Sequence, residues 1–221
     1  MKEVTFLLHV FNKEEKIGLI LKKIGKKYPE SKIIVIDNNS SDKTAKIASK
    51  SGAQVLYEKE HGKYNAIKKG FKNIKTQFTV VIDIENVNYL EDVKKLIEKL
   101  FLDKTDIALC SQTKRNTGSI TKFNLINYYL FHLISSLLYY KTSDVFTGYW
   151  AFKRNFIDYI LQKEIKSTGF QGESEMFSII SRGNFKIHEI PVKCATDSTN
   201  LSLLGDNSKI YKTISGLIKL D

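Results

Sequence analysis

The sequence predicts an α/β fold in which a mostly parallel sheet carries helices on both faces. Three observations point to it. Apolar, β-branched runs of strand length alternate with helical-period segments through the first half of the chain. Those runs are continuously apolar, the mark of strands buried on both sides. No repeat or linker-like stretch interrupts them, so a single domain spanning residues 1–221 accounts for the pattern.

Taken in order, Val4 to Val10 reads as a strand, Glu14 to Lys27 as a helix, Lys32 to Ile36 as a strand, Lys43 to Lys50 as a helix and Ala53 to Tyr57 as a strand. The rhythm continues with a helix from about Tyr64 to Phe71, a strand at Phe78 to Ile82, a helix at Leu90 to Phe101 and a strand at Ile107 to Ser111. The second half breaks it. Phe123 to Tyr140 is apolar on most sides, yet its interspersed Asn, His and Ser make it a poor spanning helix. A short strand at Phe146 to Phe152, helices around Asn155 to Gln162 and Ser174 to Arg182, and a strand at Lys186 to Val192 complete the reading.

Composition narrows the function classes. Cys110 and Cys194 stand far apart with no CxxC partner, which gives neither a zinc site nor a disulfide framework and fits a reducing, cytoplasmic setting. The run after Met1 is too short to span a membrane and lacks a small-residue cleavage site, so the mature chain is expected to start there. A formal charge of +11 is compatible with nucleic acid, an anionic membrane or phosphorylated substrates. Arginine, the residue of base reading and bidentate phosphate clamps, occurs only at Arg115, Arg154 and Arg182, which argues against nucleic acid.

Chemistry-bearing residues collect at the carboxyl ends of the expected strands, where ligands of such sheets sit. The first strand runs into His9, Phe11, Asn12 and Glu14; the second into Asp37, Asn39, Ser40 and Asp42; the fourth into Asp83 and Glu85. Helix capping by Asn12, or by Ser41 or Asp42, explains one polar residue per turn. It does not explain an acid directly at the end of a buried strand, where an unpaired carboxylate is costly, as Asp37 and Asp83 both are.

Over nearly the whole chain the sequence resembles family two of the glycosyltransferases, in particular the dolichyl-phosphate mannosyl- and glucosyltransferase branch. The motifs carrying the resemblance are HVFNKEEKI, IIVIDNNSSDKTAKIA, HGKYNAIKKGF, VIDIEN, SQTKR, DVFTGYWAFKR, GFQGESEM and IHEIPVK, in the family's order. It implies a single Rossmann-like GT-A domain, with residues 1–112 as the nucleotide-sugar half and 113–221 as the acceptor half. It also implies an inverting transfer of one hexosyl unit from a UDP- or GDP-linked donor to a polyprenyl-phosphate-type lipid.

By the same resemblance, Phe11, Asn12, Glu14, Asp37, Asn39, Ser40, Gly62, Lys63 and Asp83 would bind the donor, with Asp37 on the base and ribose. Asp83 and Glu85 would hold Mg²⁺ or Mn²⁺, as hard oxygen ligands suit. Arg115, Asp144, Gly148 and Glu173 would lie on the acceptor side. Glu173 and Glu175 are the candidate catalytic bases, or else two solvated acids favoured by a helix N-terminus. A lipid phosphate would need no strong base, since its second ionisation falls near ~6; a hydroxyl acceptor would need one.

The chain departs from the family pattern at His9, where proline is usual, at Tyr64, which replaces the second glycine of G-K-G, and at Glu85, which replaces aspartate. Ala195 to Ser202 lacks the basic groups of R-x-G-x-S-K-L, leaving Lys193, Lys209 or Lys212 to substitute. A sugar-phosphate nucleotidyltransferase would need a glycine-rich loop after the first strand, which HVFNKEEK does not supply. A non-catalytic module of the same fold is the other alternative.

Phe123 to Tyr140, with tyrosines at Tyr128, Tyr129, Tyr139 and Tyr140 and neighbouring Lys114, Arg115, Lys122 and Lys141, is expected to lie on the cytosolic face of a membrane as a peripheral anchor. A buried core helix or a dimer interface would share its apolarity.

Overall fold

The computed structural model describes residues 3–60, 62–84, 90–102, 104–112, 149–166 and 169–192. Its first half follows the expected order: β1 (Val4–Val10), α1 (Glu14–Lys27), β2 (Lys32–Asp37), α2 (Thr44–Lys50), β3 (Gln54–Tyr57), α3 (Lys63–Asn73), β4 (Phe78–Asp83), α4 (Leu90–Leu102) and β5 (Ile107–Gln112). The second half adds β6 (Tyr149–Lys153), α5 (Arg154–Leu161), α6 (Gly169–Arg182) and β7 (Ile187–Val192). Phe123 to Tyr140 lies outside the described residues.

The seven strands form one sheet in the order β3-β2-β1-β4-β6-β5-β7. β1 pairs in parallel with β2 and β4, β2 with β3, and β5 with β7, whereas β6 runs antiparallel to both of its neighbours. The sheet is therefore mostly parallel with one reversed strand. That strand, from the second half, sits inside the sheet built by the first.

Because successive strand residues point to opposite faces, the continuous apolar runs divide into two cores. Phe6, Leu8, Val35, Val80 and Ile82 pack under Ile17, Ile20 and Ile24 of α1, Ala48 of α2, and Val93, Leu96 and Leu100 of α4. Leu7, Ile34, Ile36, Val81, Leu109 and Trp150 pack under Ile67 and Phe71 of α3, Phe156 and Ile160 of α5, and Met176, Phe177 and Ile180 of α6. Helices thus cover both faces.

One contact sets a helix against the sheet and another joins two helices on the opposite face. Gly70 lets α3 settle onto β1, since a methyl group there would fall on Leu7 Cδ1 and within 2.7 Å of its Cδ2. On the other face the Tyr28 hydroxyl, just past α1, donates to the Leu90 carbonyl at the start of α4 (3.0 Å). Burial, and then the negative charges of Glu91 and Glu98, push that phenol up to about 12.

The boundaries correct the sequence reading in two places. The N-cap positions of α1 and α2 are Lys13 and Lys43, whose own side chains make no cap, so Asn12 does not cap α1; Asp42 does accept the N–H of Thr44, the first residue of α2, at Oδ1 (2.9 Å). α6 begins at Gly169, well before Ser174. Gly169 and Gly172 read as turn residues, but a helix tolerates glycine where its packing compensates.

Candidate active site

In a parallel sheet the binding crevice forms where the strand order reverses. Here β2 and β3 step away from β1 on one side and β4 lies on the other, so the switch point, where such a crevice is expected, lies at the carboxyl end of β1. Register sets Asp37 beside Val10 and Asp83 beside His9. The two strand-end acids nominated by the sequence therefore flank β1 on its two sides.

Asp37 is 2% exposed. Its Oδ2 accepts from the Ser40 N–H at 3.2 Å, while Oδ1 has no hydrogen-bond partner among the described residues. Buried polar atoms are normally satisfied, so a carboxylate oxygen with unused capacity at a binding edge is a position for a ligand donor.

The loops after β1 and β2 are joined to each other by side chains. Asn12 donates its N–H to Ser40 Oγ (2.9 Å) and accepts from the Ser41 N–H at Oδ1 (2.9 Å). Glu14 donates its N–H to Asp42 Oδ2 (3.1 Å) and accepts from the Lys43 N–H at Oε2 (2.9 Å). Lys13 N–H donates to Thr44 Oγ1 at 2.7 Å. Asn12 and Asn39 sit at φ 49° and 65°, a left-handed conformation that asparagine tolerates better than most residues. Although partial desolvation pushes Asp42 upward, hydrogen bonds from Thr44 and from the Glu14 backbone outweigh it and hold the carboxyl below its usual range. Asn12, Glu14 and Ser40 thus shape the rim through these bonds, and Phe11 stands 45% exposed on it.

Asn38, buried beside Asp37, ties three segments together. Its Nδ2 donates to the carbonyls of Glu58 (3.0 Å) and Glu60 (2.9 Å). Its Oδ1 accepts from the Gly62 N–H (3.2 Å) and lies 3.3 Å from His9 Nε2. Gly62 takes φ 140° at the entry to α3, a conformation that L side chains rarely adopt. The sequence reading passed over Asn38 because an asparagine in a D-N-N-S turn looks like ordinary turn chemistry.

Past Gly62, the Lys63 ammonium lies 3.1 Å from Glu173 Oε1 and 5.2 Å from the centroid of the Trp150 ring. Glu173 is 1% exposed and Glu175 is buried, which overturns the alternative of solvated helix-start acids. Both follow from the earlier start of α6, which puts them beyond the first turn and against α3. Tyr64 is buried with them, its phenol pushed upward by burial and by the Glu175 charge. The structure therefore joins Lys63, expected on the donor side, to Glu173, expected on the acceptor side. Trp150 was not singled out from the sequence.

Glu85, Arg115, Asp144 and Gly148 lie outside the described residues, as do Lys193, Lys209 and Lys212. Among the described residues no group of His, Cys, Asp and Glu side chains is assembled to hold a metal ion, and no helix is long and apolar enough to cross a membrane.

Comparison with known proteins adds a lineage to this geometry. Residues 5–161 match the family model described as Glycosyl transferase family 2. The chain is 26% identical over 198 residues to the uncharacterized protein MJ1222 of Methanocaldococcus jannaschii, covering 86% of this chain and 81% of that one. It is 24% identical over 181 residues to the undecaprenyl-phosphate 4-deoxy-4-formamido-L-arabinose transferase of Enterobacter sp. (strain 638), covering 75% of this chain and 53% of that one. The chain spans less than two thirds of the length of several curated relatives it matches. Among solved structures, glucosyl-3-phosphoglycerate synthase from Mycobacterium tuberculosis, in complex with Mn²⁺, UDP-glucose and phosphoglyceric acid, shares the fold. The TM-score is 0.69 at 17% identity, over 97% of this chain and 79% of that one.

Proposed function

Since the chain belongs to glycosyl transferase family 2, an enzyme family that uses nucleotide-sugar donors, we propose that it transfers a hexosyl unit, with inversion, to a lipid-linked acceptor of the polyprenyl-phosphate type. The observation that carries the donor half of this reading is Asp37. Its buried Oδ1 has unused acceptor capacity at the switch point of the sheet and suits the N–H and O–H donors of a base and ribose. Asp83 closes the strand on the other side of β1, and it and Glu85, two residues further along the sequence, carry carboxylates, the ligand type Mg²⁺ and Mn²⁺ prefer. A cation held there would neutralise charge on the departing nucleotide diphosphate.

Support for the lipid acceptor comes from the undecaprenyl-phosphate transferases among the relatives. A phosphate nucleophile also fits the carboxylates present: Glu173 is engaged with Lys63, and a phosphate monoester is already ionised at neutral pH without a base. Residues 1–112 serve the donor in this reading and 113–221 the acceptor, with Arg115, Asp144 and Gly148 on the acceptor side.

The test is transfer from radiolabelled UDP- and GDP-hexoses, with Mn²⁺ or Mg²⁺, to undecaprenyl phosphate in detergent, with phosphoglyceric acid as a competing soluble acceptor. Label extracted into organic solvent, and lost in EDTA, is the expected result. Label appearing only in the aqueous product would overturn the lipid acceptor.

A further inference from the structure

Lysine carries its charge on a flexible stem, so where its ammonium rests depends on its partners. Lys63 opens α3 directly after Gly62, whose N–H is bound to Asn38 Oδ1, one residue past Asp37. The start of α3 is thereby tied to the strand end that carries the nucleoside candidate. The side chain of Lys63 is 17% exposed and that of Glu173 1% exposed, so the pair runs from the surface into the core. A carboxylate so deep is stable as an anion only beside a cation or hydrogen-bond donors, and its ion pair with Lys63 at 3.1 Å meets part of that need. The indole face of Trp150 adds a second contact.

We propose that Glu173 is a positioning residue: it holds the Lys63 ammonium against Trp150 at the edge of the donor crevice, where the ammonium meets the donor diphosphate. This rests on the nucleotide-sugar reading above. The physical gain is preorganisation. The rotamer freedom of a long side chain is lost on folding and no longer has to be lost when the donor binds. The pair also connects α3 to α6, so the two halves of the chain share one element of the donor site.

The chain has a single tryptophan, so emission from Trp150 reports the cluster directly. Lys63→Met, Glu173→Gln, the double variant and Glu173→Asp are compared by emission, melting temperature and calorimetric affinity for UDP–Mn²⁺ and GDP–Mn²⁺. Both single variants are expected to change emission in the same direction and to weaken the preferred nucleotide on the order of tenfold. The double variant, which removes both charges of the pair together, is expected to melt closer to the wild type than either single and to lose no more affinity than either single. Glu173→Asp is expected to recover part of the affinity.

Additive losses in the double variant overturn the proposal, as does a Glu173→Gln protein with wild-type emission and affinity. If Asp37→Asn weakens the nucleotide under those outcomes, the donor reading stands without the positioning role. A wild-type protein that binds neither nucleotide overturns both.

Discussion

At the scale of single residues, Asp37 Oδ1, which has no hydrogen-bond partner among the described residues, gives the most direct test. Asp37→Asn keeps the shape and the Ser40 contact but replaces a charged acceptor by a neutral amide. A hydrogen bond to a charged group is worth about 1.5–3 kcal/mol, so nucleotide affinity should fall by roughly 10- to 150-fold in calorimetry while acceptor affinity stays constant. Equal donor affinity would remove Asp37 from the site. Asp83→Ala should abolish transfer and leave the far-ultraviolet circular dichroism unchanged; turnover surviving in that variant would rule out a metal role. The place of both acids at the ends of β2 and β4 was legible, because each closes a continuous apolar run. Glu173 was only half legible. Its carboxylate stood out in GFQGESEM, but its burial beside Lys63, a partner distant in sequence, is a pairing that no periodicity reveals.

Among the elements, the contacts of Gly70 with Leu7 and of Tyr28 with Leu90 give the sharpest tests. Gly70→Ala gains up to about 1 kcal/mol of helix propensity but overpacks Leu7, which costs roughly 1–3 kcal/mol. The net expectation is a loss of about 1 kcal/mol, read as a melting temperature lower by roughly 2–4 °C. A variant that melts higher would mean that Leu7 has room to move. For Tyr28 the sign follows from a folded value raised to about 12. Its contribution is complete below the unfolded value near ~10 and is lost as pH rises toward the folded one. Wild type should therefore lose more stability than Tyr28→Phe across that interval in urea titrations, and parallel curves would show the hydroxyl to be energetically idle. The elements themselves were legible to within a few residues wherever apolar runs were long. The start of α6 was not, because Gly169 and Gly172 mimic a turn and only the packing of Met176, Phe177 and Ile180 continues the helix through them.

At the scale of the molecule, the alternation of strands and helices forecast the layers but not the strand order. Nothing in the residues of β6 announces that it runs backwards between β4 and β5. Its YWAFK stretch is as apolar as its parallel neighbours, and direction is set by how the chain returns. The peripheral membrane expectation belongs to this scale too. Wild-type protein should sediment with anionic vesicles at low salt and be released as salt rises, and Leu130→Asp or Leu133→Asp should weaken that binding. Protein that stays in the supernatant at low salt would favour a soluble acceptor. The reversal of β6 has one more consequence. β5 delivers the chain at Gln112 to the crevice edge, and β6 takes it up at Tyr149, paired opposite Ile82 near that same edge. Gln112 and Tyr149, the described residues that bracket positions 113–148, thus both lie at the rim and neither on the sheet's far side. In engineering terms the span is a cassette. Exchanging it between relatives should alter which acceptor is recognised while the donor crevice and the two cores go on being built by the same strands.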